Sequence, residues 1–86
     1  MSQPEIFRLS RRIGGEYDEL GNLASLSGIE NIRSNNVQYP KPEQKATQIL
    51  IMINRKSNFS RNELAAHLKE MSLEDVADDV LDGRLR

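Results

Sequence analysis

The side chains best suited to chemistry in this sequence are one histidine and a set of carboxylates near the C-terminus. Asp75, Asp78, Asp79 and Asp82 recur at helical spacing and share one stripe of a predicted helix. Paired carboxylates support acid–base catalysis only in a cleft that moves their pKa values apart, and an exposed helix face does not do this. His67 is the only histidine, and one imidazole completes neither a zinc site nor a base–nucleophile pair. We therefore expect no enzymatic activity and no metal or cofactor site.

The elements that carry these side chains are predicted to be helices. A serine followed by an acid three residues later is typical of a helix start, and the chain has this pattern at Ser2, Ser27, Ser60 and Ser72. Short connections between successive helices favour an all-α fold, a six-helix antiparallel bundle. The predicted helices cover residues 3–13, 16–27, 29–35, 42–57, 61–71 and 73–82, and we expect the last three residues to be frayed.

Apolar residues at helical spacing predict which side of each helix faces the core. The clearest sets lie in the C-terminal half of the chain. They are Ala46, Ile49, Leu50 and Ile53 in the fourth helix, Leu64, Leu68 and Met71 in the fifth, and Leu73, Val76, Ala77 and Val80 in the sixth. His67 lies among the residues of the fifth set, so we expect it at the edge of the core.

Length and composition limit the possible functions. The chain has 86 residues, enough for one domain over 1–86 with a single core, and it has no cysteine for disulfides or thiolate ligands. The longest apolar run, Ile49 to Ile53, is far shorter than the ~20 residues that span a bilayer, and the first seven residues lack the regions of a signal peptide. A formal net charge of −1 gives no long-range attraction for nucleic acid. We expect a soluble cytoplasmic domain that binds neither nucleic acid nor membranes.

The order of these motifs resembles a death domain. Tyr17-x-x-Leu20 begins the second helix, EQKATQILIMI forms the fourth, and NELAAHLKEMSLEDVADDVL covers the fifth and sixth. The resemblance extends over nearly the whole chain and is strongest from Glu43 to Leu81. It implies a non-catalytic adaptor module that assembles with other death domains, as homotypic or heterotypic partners, in intracellular signalling such as apoptosis or innate immunity.

The resemblance also implies two kinds of contact between charged patches. The first joins the end of the fourth helix and the following loop to the turn between the fifth and sixth helices of a neighbour. The first region holds the bases Arg55, Lys56 and Arg61, and the second holds the acids Glu70, Glu74 and Asp75. The second joins the first and fourth helices of one copy to the second and third helices of another. The first and fourth helices hold the bases Arg8, Arg11, Arg12 and Lys45, and the other surface holds the acids Glu16, Asp18, Glu19 and Glu30. Each patch meets a different patch of opposite sign, so the contacts can propagate beyond a dimer.

Some of these charges also suit a role within a single helix. Exposed charges on helices are commonly solvated, and acids near a helix N-terminus or bases near its C-terminus stabilise the helix itself. This accounts for Glu74 and Arg55 without a partner. It does not account for Asp78, Asp79 and Asp82, because acids late in a helix oppose its dipole, and we interpret this acidic stripe as part of an interface.

Two alternative functions fit parts of the sequence. The segment ELGNLASLSGIENIR has the pattern of a DNA-binding helix-turn-helix, with Gly28 near the turn. In its second helix only Arg33 is basic, and Glu30 would face the phosphates, so the main source of DNA affinity is missing. A related death-fold module, of the caspase-recruitment or death-effector type, would share the architecture but bind a different class of partner.

Overall fold

The computed structural model describes residues 1–86, and all of its regular structure is helical. The elements are α1 (Gln3–Ile13), a short 3-10 helix (Gly14–Glu16), α2 (Tyr17–Leu23), α3 (Ile29–Ser34), α4 (Pro42–Asn54), α5 (Arg61–Glu70) and α6 (Glu74–Asp82). The predicted all-α class is confirmed. None of these helices combines the length and the apolar character needed to cross a membrane.

Serine caps begin two of the helices as predicted. The Ser2 hydroxyl accepts a hydrogen bond from the Glu5 amide at 3.4 Å, and the Ser60 hydroxyl accepts one from the Glu63 amide at 3.4 Å. Neither acid returns a bond to the cap, because the Glu5 side chain bonds to Arg61 and Glu63 lies toward His67 on the next turn. Each cap satisfies one free amide of a first helical turn.

The other two predicted serine caps are wrong. Residue Gly28, with φ of 79°, precedes α3, and Leu73 precedes α6, and neither helix has a side-chain cap. Ser72 takes a left-handed conformation with φ of 63°. A residue in the left-handed conformation thus lies at the start of each helix, and neither serine hydroxyl caps it.

Several predicted helix ends lie too far along the chain. Helix α2 ends at Leu23 instead of position 27, because Ser25 adopts a φ of 57° and the chain turns there. Helix α4 ends at Asn54 instead of position 57, and α3, α5 and the start of α6 each differ from the prediction by one residue. The apolar spacing continued past these ends, and periodicity alone does not detect such a turn.

One core connects all the helices. Its fully buried side chains include Leu9, Leu20, Ile49, Leu50, Leu64 and Leu68. Helix α4 lies at the centre, against α1, α2 and α3, while α5 packs on α6. The packing of α2 on α3 leaves little room at Gly21, where an added Cβ would lie 2.8 Å from the Ile29 Cδ1 atom. The predicted inward residues of α4 and α5 are confirmed as core.

The C-terminal tail is ordered against the bundle, contrary to the prediction that it frays. Leu85 is buried in the core, and its carbonyl oxygen accepts a hydrogen bond from Arg8 Nη1 at 3.0 Å. The Arg84 amide also donates to the carbonyl of Asp79 at 3.0 Å. Gly83 makes this return possible with a left-handed φ of 71°.

Candidate functional site

A buried ion pair joins α1, α5 and α6. The Glu5 carboxylate is fully buried and accepts two hydrogen bonds from the guanidinium of Arg61, at 2.5 and 2.8 Å. Arg61 Nη1 also donates to the carbonyl oxygen of Val80 at 3.3 Å. The hydrogen bond from Arg61 outweighs the effect of burial and lowers the pKa of Glu5. Arg61 was predicted to contact a partner, and its guanidinium also neutralises a buried acid inside the fold.

Two lysines predicted for partner contacts donate hydrogen bonds to other parts of the same chain. Lys45 is buried, and its ammonium donates to the Arg33 carbonyl and to Asn36 Oδ1, both at 2.6 Å. The half-buried Lys56 donates to the Ala24 carbonyl at 2.9 Å. These bonds satisfy carbonyl groups at and beyond the ends of α2 and α3. Lys45 therefore does not belong to an accessible patch, and Lys56 presents only part of its side chain.

Two of the four acids on the acidic stripe of α6, Asp79 and Asp82, are paired with arginines of the same chain. Asp79 forms ion pairs with Arg12 at 2.9 Å and with Arg84 at 3.4 Å, and Asp82 lies 3.3 Å from Arg84. Internal arginines therefore offset the unfavourable position of Asp79 and Asp82 late in the helix, so these two acids are explained without a partner protein. Asp78 has no such partner.

Nine of the predicted residues remain exposed without any hydrogen bond or ion pair from their side chains. They are Arg11, Glu16, Glu19, Glu30, Arg55, Glu70, Glu74, Asp75 and Asp78. Three of them, Glu70, Glu74 and Asp75, surround the turn between α5 and α6, and we call these three the acidic turn. Arg55 lies directly after the last residue of α4. The structure therefore retains free charges of opposite sign for the first predicted pairing.

Few of the bases predicted for the second pairing are free of bonds within the chain. Arg8 and Arg12 are exposed but bond to the Leu85 carbonyl and to Asp79. On the acidic side, Asp18 pairs with Arg33. Only Arg11 remains unpaired among the bases, opposite Glu16, Glu19 and Glu30.

His67 lies at the edge of the core, as predicted, with 19% of its side chain exposed. Its Nε2 atom is buried without a hydrogen bond, 3.7 Å from Glu63 Oε1. The adjoining cavity, lined also by Lys56 and Phe59, has a volume of about 20 Å³, room for a single water molecule. The structure contains no group of three or more side chains placed to hold a metal ion.

The helix that a DNA-binding function would require offers no unpaired base. Arg33 donates to the Asp18 carboxylate, and this hydrogen bond raises the pKa of Arg33. Glu30 and Asn31 are exposed on the same helix. A phosphate backbone would therefore meet an acid and an already neutralised arginine, which disfavours binding.

Comparison of the chain with models of protein families, with curated proteins and with solved structures found no match.

Sequence reasoning missed Glu5, Arg33 and Arg84 as internal partners. For Glu5 a signal was present, because it lies one turn before Leu9 and so on the inward side of α1. An acid on an apolar face needs a buried base. The identity of that base depended on the tertiary fold, since Arg61 lies 56 residues away.

Proposed function

We propose that this chain is a non-catalytic protein interaction module, a six-helix bundle of the death-domain type, which assembles with other death domains in intracellular signalling. Two things support the proposal. The sequence resembles that family over nearly its whole length, and the observed element order follows the helices on which the resemblance was based. The free surface charges suit contacts between different patches.

The observation that carries the proposal is the state of Arg55 and the acidic turn. Arg55, Glu70, Glu74 and Asp75 are all exposed and have no partner within the chain, whereas Arg61, Lys45 and Asp79 do. Charges without internal partners are free to pair across an interface. Because a base at one end of α4 would meet acids at a different place on a second molecule, the contact is heterologous and can extend.

Charge reversal tests this contact. Arg55→Glu and Asp75→Arg should each reduce assembly measured by sedimentation velocity, and the double variant should recover part of it. Lys69→Glu makes the same change of charge as Arg55→Glu at an exposed residue of α5 that belongs to neither predicted pairing and forms no ion pair, so it serves as the matched control. Additive loss in the double variant, with no recovery, would contradict the pairing of Arg55 with the acidic turn.

A further inference from the structure

A surface groove runs between α1 and α4, on the side of α1 that faces away from α6. It has a volume of about 790 Å³, and its walls come from α1, the segment before α4, and α4. Phe7 projects into it with 47% of the residue exposed, and Arg11 and Lys41 provide two positive charges against one acid, Glu43. The groove therefore combines an apolar anchor point with a net positive charge.

The outer face of α6 has the opposite character. Glu74, Asp78 and Leu81 follow one another at i, i+4 and i+7, so they share one side of the helix. All three are exposed, Leu81 to 41%, and neither acid has an intrachain partner. This face presents one apolar side chain beside two negative charges.

Only the outer face of α6 matches the groove in both respects. The exposed large hydrophobic residues of the chain are Phe7, Val37 and Leu81. Of the other free acids in the predicted patches, Glu16, Glu19 and Glu30 lie on the short helices before α4, where no large hydrophobic side chain is exposed. Glu70 and Asp75 lie at the turn between α5 and α6, where none is exposed either. An apolar contact flanked by opposite charges is the usual composition of a specific interface.

We propose that the outer face of α6 in one copy docks into the α1–α4 groove of a second copy, with Leu81 on Phe7 and the acids against Arg11 and Lys41. The proposal rests on the proposed function and names its partner as this same chain. Both surfaces are accessible in the same copy, because α6 contacts α1 through a different residue, Asp79, which pairs with Arg12. The contact is therefore heterologous and can add further copies.

Truncation of the two apolar anchors tests the contact, in an Arg55→Glu background that removes the pairing of Arg55 with the acidic turn. Phe7→Ala and Leu81→Ala should each weaken self-association about tenfold or more in sedimentation velocity, because an anchor of an interface carries much of its affinity. Val37→Ala, a truncation of an apolar residue that is 97% exposed and outside the groove, should leave it unchanged. Circular dichroism confirms that each variant is folded.

An equimolar mixture of the two variants adds a sharper outcome. The Phe7→Ala copy retains its α6 face and the Leu81→Ala copy retains its groove, so the mixture should form a pair that cannot grow. Unchanged association in either single variant, or a strict monomer in the Arg55→Glu background, would overturn the proposal. Loss of assembly caused by Arg55→Glu together with no effect of Phe7→Ala would leave the proposed function standing and reject this interface alone.

Discussion

The buried ion pair of Glu5 with Arg61 joins α1, α5 and α6, and we call it the polar seam. The seam and the acidic turn use charged residues for different purposes. In the seam, Glu5 is fully buried and bonds to Arg61, which also contacts α6. At the turn, Glu70 and Asp75 are exposed and have no partner in the chain. Burial, and not residue type, separates a charge that stabilises the fold from a charge available to a partner.

This difference has a physical basis in solvation. A carboxylate removed from water needs a hydrogen-bonded base, whereas an exposed one is stabilised by solvent and loses little if its partner is absent. Variants of the seam should therefore lower the free energy of unfolding strongly, whereas variants of the turn should mainly change what the protein binds.

Arg61→Ala is expected to have the largest effect on stability. It leaves the Glu5 carboxylate buried without a base, which should reduce the free energy of unfolding by about 3–5 kcal/mol. Urea denaturation measures the change. Arg55→Ala removes an exposed arginine of the same type and provides the control. A similar small loss in both variants would show that the seam and the surface do not differ.

Acid should weaken the seam next. The pKa of Glu5 is lowered in the folded protein from an ordinary value of 4.5, so the contribution of the pair is fully present above that value and is lost as the pH falls through the lower folded-state pKa. Urea denaturation across this range should show stability falling with pH. Glu5→Gln should flatten that dependence, and an equally steep fall in the variant would assign the effect to other acids.

The roles of these residues were only partly accessible from sequence. The starts of α1 and α5 were predictable because Ser2 and Ser60 act on amides three residues away. The turns at Ser25 and Ser72 were not, because nothing in a serine side chain indicates positive φ. The sign of the charge on each surface patch was predictable from the sequence. The internal role of Lys45 was not, because it bonds to groups that only the tertiary fold brings near.

The pair of Arg12 and Asp79 should have a smaller effect. This pair joins α1 to α6 with 39% and 18% of the two side chains exposed, so solvent competes with the bond. A double-mutant cycle with Arg12→Ala and Asp79→Ala should give a coupling free energy of about 0.2–1 kcal/mol. A value near that of the buried pair would place Asp79 in the core of the seam.

Reversal of a charge at the acidic turn should have the smallest effect on folding. Asp75→Arg should change the free energy of unfolding by no more than about 1 kcal/mol, because the carboxylate is exposed and unpaired and contributes only through its place in the first turn of α6. Thermal denaturation compares it with the unaltered protein. A large loss of stability would mean that the turn contributes to the fold and is not a free surface.

Sedimentation velocity of the isolated chain, over a range of concentrations at low and high salt, tests whether the free surface charges drive assembly. Contacts between opposed charges weaken as salt screens them. We expect species larger than a dimer at low salt, which shrink as salt is raised and are reduced in size by Arg55→Glu. Assembly that does not respond to salt, or to Arg55→Glu, would contradict a role for these charges.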